Sequence, residues 1–394
     1  LDVNNAFLNG TLEEEVYMTQ PPGFEASDKN LVCKLHKAIY GLKQAPRAWF
    51  DKLKSTLLQL NFYASKCDPS LFVYSHANNV IYILVYVDDI IITGNNSTIL
   101  HTLVSQLHSI FSLKDLGDLD FFLGIEVKSQ PDGSLILTQS KYIRDLLNRT
   151  DMEGSKPISS PMVSGSKLSK AGSEDFLDAS LYRSVVGALQ YATIIRPEIS
   201  FSVNKVCQFM SHPLTHHWAA VKRILRYLKG TTSWGLRLQP ASSPSSLSIH
   251  AYCDADWASD PDDRRSTSGA SIFLGPNLVS WWSKKQIVVA RSTTEAEYRS
   301  LALATTEVTW IQTLLSELKV NHSTPIIFCD NLSTVALAHN PVLHARTKHM
   351  ELDLFFVHVP AIDQCADVLT KALSPSRFCD LRSKLQVVES PHPT

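Results

Sequence analysis

The stretch that most constrains this chain is Tyr86–Gly94, YVDDIIITG, where two adjacent aspartates, Asp88 and Asp89, interrupt an apolar run. VIYILVYV (Val80–Val87) precedes them, and Ile90, Ile91 and Ile92 follow. Both flanks are rich in β-branched and aromatic residues, as strands are. A strand apolar on both faces is normally buried. Two carboxylates set between such strands are costly to desolvate unless a cation meets them. Magnesium, a hard divalent ion that takes oxygen ligands, would do so. The same residues also suit a tight hairpin with an exposed Asp-Asp turn.

At 394 residues the chain exceeds one ordinary core, so about two or three domains are expected. It is 44% hydrophobic and 19% charged, a globular balance, without an apolar run long enough to span a bilayer and without a secretory leader. It opens on Leu1 and reads as a piece of a longer product. A net charge of -1 gives no overall sign of nucleic acid, but Ile199–Cys253 contains no acidic residue and carries Lys205, Lys222, Arg223, Arg226, Lys229 and Arg237. A locally basic surface of this kind can hold phosphates, although a solvated helix face has the same composition. The seven cysteines are scattered and never form C-x-x-C, which argues against a disulfide scaffold or zinc ribbon and suits a reducing compartment.

Apolar spacing predicts helices over Ala45–Leu60, Ser97–Phe111, Lys141–Asn148, Leu181–Met210, His217–Lys229, Ser292–Leu318 and Thr334–His339, with a last one over Asp363–Leu373. Strand pairs are expected at Leu71–Tyr74 with Val80–Val87 and at Leu116–Val127 with Ser134–Thr138. Further strands are expected at Leu247–Asp254, Gly269–Leu274, Leu278–Trp282, Pro325–Asp330 and His358–Pro360. QPASSPSS, Gln239–Ser246, is the clearest linker.

Two sets of acids stand at strand ends, turns and helices. Asp2, Asp88 and Asp89 form one set. Carboxylates that share a site repel unless cations bridge them, and two magnesium ions roughly 3.5–4 Å apart are the usual arrangement for in-line phosphoryl chemistry. Asp254, Glu297, Asp330 and Asp367 form the other set, with Asp256 and Glu295 as neighbouring alternatives. The plain alternative for both sets is scattered surface acids.

DVNNAF, YGLKQAPRAW, YVDD and FFLGIEV, in that order, resemble the reverse transcriptase of copia-type LTR retrotransposons, as does YRSVVGALQYATIIRPEISFSVN…RILRYLKGT. CDADWA, STTEAEY, FCDN and DQCADVLTKAL resemble the ribonuclease H domain that follows the polymerase in that family. The likeness covers nearly the whole chain. It implies an α+β palm with a helical thumb and connection, then an α/β ribonuclease H-like domain with a mixed five-stranded sheet. The expected divisions are palm 1–140, thumb and connection 141–238, linker 239–248, ribonuclease H-like domain 249–380 and tail 381–394.

The resemblance implies that Asp2, Asp88 and Asp89 hold two magnesium ions, with manganese as a substitute, and that Asp254, Glu297, Asp330 and Asp367 hold a second pair. It implies that Phe7 excludes a 2′-hydroxyl, that Gln44 touches the incoming nucleotide, and that Phe121, Phe122, Leu123 and Gly124 form the primer grip. Lys222, Arg223, Arg226 and Lys229 would face nucleic-acid backbone. Taken alone, Phe7 also suits core packing, Gln44 a surface amide and Phe121–Gly124 an apolar strand. The implied partners are RNA template, DNA primer, RNA–DNA hybrid and deoxynucleoside triphosphates, with no membrane and with protease and integrase elsewhere in the polyprotein. The implied setting is the cytoplasm, in virus-like particles.

Two departures bear on activity. The family's basic fingers region would lie upstream of Asp2, and without it nucleotide is poorly oriented. HMELDLFF (His349–Phe356) runs directly into VHVPA, with about a dozen fewer residues than the family carries there, which threatens the placement of Asp367. His358, before that shortened strand, is expected to be structural. The expected function is RNA-directed DNA polymerase and ribonuclease H. The alternatives are a non-catalytic remnant that at most binds nucleic acid, or ribonuclease H activity alone.

Overall fold

The computed structural model of the chain describes residues 1–241, 247–340 and 354–391. It divides into two compact units, Leu1–Leu119 and Asp120–Thr394.

The first unit contains β1 (Asp2–Val3), β2 (Thr11–Thr19), β3 (Val32–Lys37), α1 (Ala45–Gln59), β4 (Tyr63–Ala64), β5 (Leu71–His76), β6 (Asn79–Tyr86), β7 (Asp89–Gly94), α2 (Ser97–Ile110) and β8 (Leu113–Lys114). Six strands form an antiparallel sheet in the order β4-β5-β6-β7-β1-β8, while β2 and β3 pair separately. Pro46 opens α1, where its missing N–H costs nothing. The Asn96 side chain caps α2 by accepting from the Thr98 and Ile99 N–H groups. Trp49, Leu53 and Leu57 of α1 and Leu103 and Leu107 of α2 pack on Phe72, Ile81 and Ile83 of the sheet. On the opposite face Val73 is also fully buried, beside Tyr82. Along β6, Ile81, Ile83 and Val85 are buried while Tyr82 and Leu84 are half-buried, so the expectation of a strand buried on both faces does not hold.

The second unit contains β9 (Phe121–Phe122), β10 (Ile125–Ser129), β11 (Leu135–Thr138), α3 (Ser140–Arg149), α4 (Ala179–Ala192), α5 (Ser200–Cys207), α6 (Thr215–Gly230) and β12 (Trp234–Leu238). It continues through β13 (Ile249–Asp256), β14 (Thr267–Leu274), β15 (Asn277–Lys285), α7 (Thr293–Glu317), β16 (Ile326–Cys329), α8 (Leu332–Ala338), β17 (Phe355–His358), α9 (Pro375–Lys384) and β18 (Val387–Glu389). One sheet is antiparallel in the order β18-β12-β11-β10-β9. The other is the expected mixed sheet, β15-β14-β13-β16-β17, whose last two pairings are parallel.

Several expected boundaries are corrected. The expected palm, 1–140, is cut at Leu119, because β11 pairs with β12 and so ties β9–β11 to the second unit. The expected tail, 381–394, holds the end of α9 and β18, which pairs with β12. The linker does not divide compact units: Gln239 bonds to Asn277 and Gln386, and 242–246 lie outside the described residues. The helix expected over Leu181–Met210 breaks before Pro197, which cannot donate within a helix. Cys365–Leu369 is a 3-10 turn and not the last helix. The buried Gln364 side chain accepts from the Ala366 N–H and donates to the Cys253 carbonyl, which winds the segment tightly against β13. Of HMELDLFF, only Leu354–Phe356 are described; His349–Asp353 lie outside the described residues. His358 ends β17, exposed, opposite Cys329.

Candidate active sites

In the first unit the aspartates meet through strand pairing. Asp2 of β1 stands opposite Asp89 of β7, and the Val3 N–H donates to the Asp88 carbonyl at 2.9 Å. The β6–β7 connection is a two-residue turn, Val87–Asp88. Val87 has φ +56°, a strained value for a β-branched residue at a position where glycine is usual. The Trp49 Nε1–H holds this turn by donating to the Val87 carbonyl at 2.6 Å, and the Trp49 ring meets Phe111 edge-on. Asp88 is exposed, while Asp2 and Asp89 are half-buried. Burial pushes the Asp89 carboxyl above its ordinary range, and the Asp88 and Asp2 charges push it further. YVDD is thus a tight hairpin whose turn is Val87–Asp88 and not Asp88–Asp89, and Asp2 and Asp88 stand close enough to Asp89 for their charges to act on it.

Phe7 lies in the 3-10 turn Ala6–Asn9, half-buried, with its ring 6.0 Å from that of Tyr40. Tyr40 is 89% exposed; sequence reasoning missed it, although its place just before GLKQ was visible. Gln44 stands at the start of α1 without capping it, and its amide donates to Glu14 at 3.3 Å.

In the second unit four carboxylates converge from four separate elements. Oxygens of Asp254, Asp330 and Asp367 all lie within 4.8 Å of one another, and Asp330 also groups with Glu297 and Cys329. Asp254 is on the central strand β13, 1% exposed. Across from it Gly269 leaves a gap: a Cβ there would stand 2.7 Å from the Leu369 Cβ and 2.8 Å from the Thr370 Cγ2. That gap seats the 365–369 turn on the sheet. Thr370 donates its hydroxyl to Asp254, and the Lys371 Nζ reaches Asp254 at 3.2 Å and Asp367 at 2.7 Å. Glu297 accepts from the Ala255 N–H at 3.1 Å.

The alternatives separate by position. Glu295 sits in the first turn of α7, accepts from the Arg291 N–H and pairs with Arg299, away from the cluster. Asp256 shares a face with Asp254 but does not join either close group among the described residues. Burial pushes the Glu297 carboxyl up to about 10, helped by Asp254, Cys329 and Asp330. Burial and then the Asp254 charge raise Asp330 and Asp367 as well. Among the described residues, four carboxylates share this site with the inward ammonium of Lys371. Hard oxygen donors in such excess fit a divalent cation.

The remaining predicted residues also lie in the second unit. Phe121 and Phe122 form β9, and Leu123 and Gly124 make the turn into β10 with φ +48° and +77°. The Tyr191 hydroxyl donates to the Leu123 carbonyl. Lys222 of α6 is exposed and Lys229 half-buried. Arg223 donates to the Ser160 hydroxyl and Arg226 to the Lys156 carbonyl, so both spend donors inside the fold.

The profile of the family described as "Reverse transcriptase (RNA-dependent DNA polymerase)" matches residues 1–164. The chain is 49% identical over 405 positions to the Retrovirus-related Pol polyprotein from transposon RE1 of Arabidopsis thaliana, covering 99% of this chain and 27% of that one. It is 34% identical to a transposon Ty5-1 protein of Saccharomyces cerevisiae, covering 76% of this chain and 97% of that one. Among solved structures, the foamy viral protease-reverse transcriptase in complex with RNA/DNA hybrid aligns at a TM-score of 0.49 and 13% identity, over 95% of this chain and 44% of that one. The chain spans about a quarter of the length of the plant Pol polyproteins it matches. With its motifs in order and two units that gather the expected acids, the chain belongs to the reverse transcriptase family of copia-type retrotransposon Pol polyproteins.

Proposed function

We propose that this chain carries out magnesium-dependent phosphoryl transfer at two places. The first unit would extend a DNA primer on an RNA template, with a primer 3′-hydroxyl attacking the α-phosphate of a deoxynucleotide. The second would cut the RNA strand of an RNA–DNA hybrid with water. The observation that carries this reading is the closure of Asp254, Asp330 and Asp367 to within 4.8 Å, from segments more than a hundred residues apart at the extremes.

In the first unit Asp2, Asp88 and Asp89 would hold the cations, and the Phe7 ring would close off space for a 2′-hydroxyl. In the second, Asp254, Glu297, Asp330 and Asp367 would hold them. The chemistry a bound divalent pair supplies is activation of the attacking oxygen and neutralisation of charge on the leaving one. Thr370 keeps Asp254 oriented, and the Ala255 N–H keeps Glu297 oriented. Lys222, which is exposed, and Lys229, which is half-buried, would meet the phosphate backbone. The exposed Phe121 would meet the primer.

The test is a magnesium-dependent hybrid-cleavage assay run beside primer extension. Asp330→Asn should abolish cleavage and spare extension; Asp89→Asn should do the reverse. Absence of magnesium-dependent cleavage under any condition would return the chain to a nucleic-acid-binding remnant. Ribonuclease H activity alone is favoured by one observation: Asp2, Asp88 and Asp89 do not close into a group as tight as the second cluster among the described residues. Cleavage without extension would support it.

A further inference from the structure

Two cations touch the second cluster among the described residues, in different ways. Arg377 lies 3.7 Å from Asp367 and also pairs with Asp380 at 3.1 Å, on the outer side. Lys371 points inward and joins Asp254 of β13 to Asp367 of the 365–369 turn. These are two of the three acids whose oxygens close into one group. The ammonium therefore pairs with two of the carboxylates that a divalent ion at that group would need.

Lys371 also has somewhere to go. Its side chain is 37% exposed, and it lines a cavity of about 210 Å³ together with Phe201, Lys205 and Asp256. A lysine is a compact charge on a four-carbon stem, able to swing where a planar guanidinium cannot. A divalent ion and an ammonium cannot share the same carboxylate oxygens without strong like-charge repulsion in a buried setting.

We infer that Lys371 is the resident counter-ion of the second carboxylate cluster, holding Asp254 and Asp367 together until a divalent ion displaces its ammonium, and so setting the cation concentration at which the site fills. The inference rests on the reading that this cluster holds a divalent cation. The displaced ammonium swings into the cavity beside Phe201. An ion that must first displace an internal competitor binds with an affinity lowered by the fraction of time the site is open.

The test uses the full chain carrying Asp88→Asn and Asp89→Asn, which silences the first cluster, titrated calorimetrically with magnesium and manganese at fixed ionic strength. Lys371→Met should tighten binding about tenfold and lower the melting temperature in chelator, since Asp254 then loses its cationic partner and keeps only the Thr370 hydroxyl. Lys371→Gln, which keeps a donor without the charge, should tighten binding while melting closer to the parent. Lys371→Arg, whose guanidinium cannot swing aside as the ammonium does, should bind both ions more weakly than the parent. Unchanged or weaker binding in both the methionine and the glutamine variants would overturn the inference and make Lys371 a support of the filled site. If neither the parent nor any variant bound either ion at millimolar concentration, the divalent-site reading would fall with it.

Discussion

The first carboxylate cluster is built on a hairpin turn and a neighbouring strand, with one acid exposed and two half-buried. The second is built into the floor of a mixed sheet, with Asp254 almost wholly covered. Among the described residues, no lysine or arginine ion pair reaches Asp2, Asp88 or Asp89, whereas Lys371 bridges two members of the second cluster. Solvent screens charge repulsion at an exposed site, so its acids can stand somewhat apart until a ligand draws them in. A buried site has no such screening and needs an internal cation or retained protons. The second cluster has both. It is preassembled, and its cost is written in raised carboxyl pKa values; the first is loosely assembled, and burial there raises Asp89.

The comparison can be broken most forcefully at Gly269. Gly269→Val would drive side-chain carbon into Leu369 and Thr370 and lift the 365–369 turn, destabilising the second unit by about 3 kcal/mol. Calorimetry should show that loss together with loss of divalent binding by the second cluster, while binding by the first persists. Trp49→Phe is the matching cut in the first unit. It removes the N–H that holds the Val87 carbonyl and should cost about 1–2 kcal/mol in urea unfolding. Primer extension should fall with it and hybrid cleavage should not.

These two residues also mark what the sequence could convey. Trp49 was legible as a core residue of α1, since Trp49, Leu53 and Leu57 repeat at helical spacing, but its hydrogen bond to a turn 38 residues away was not. Glu297 lies on the same stripe of α7 as Leu301, Ala304, Val308 and Ile311, so periodicity alone separates it from the capping Glu295. Asp254 and Asp256 share strand parity, and only the packing of the 365–369 turn distinguishes them. Lys371 follows Asp367 by four residues, and its N–H donates to the Asp367 carbonyl at 2.9 Å as in one helical turn, but that spacing gives no sign that its ammonium also reaches Asp254. The boundary at Leu119 and the strand β18 rest on pairings between segments some hundred residues apart or more, which local pattern cannot reveal.

The protonation difference gives a pH test. Raised carboxyls keep protons in the folded state that the unfolded chain has already released. Their contribution to stability is therefore full below the ordinary carboxylate range and is lost as pH rises through the folded values, Glu297 last, at about 10. The metal-free second unit should weaken from mildly acid to alkaline pH. A divalent ion expels those protons, so magnesium should bind several-fold more tightly at about pH 8 than at about pH 6, with proton release measurable in buffers of different ionisation enthalpy. The first cluster should show a shallower slope. The smallest effect is expected at Glu295→Gln, which should leave divalent affinity unchanged in the same titration, in contrast to Glu297→Gln.

The claim beneath all of this is that acids distant in the chain gather into two cation sites. Anomalous scattering from a crystal soaked in manganese tests it directly. The account predicts peaks among Asp254, Glu297, Asp330 and Asp367 and between Asp2 and the Asp88–Asp89 turn, with the Lys371 ammonium withdrawn from Asp254. Manganese absent from both clusters at millimolar concentration would contradict it.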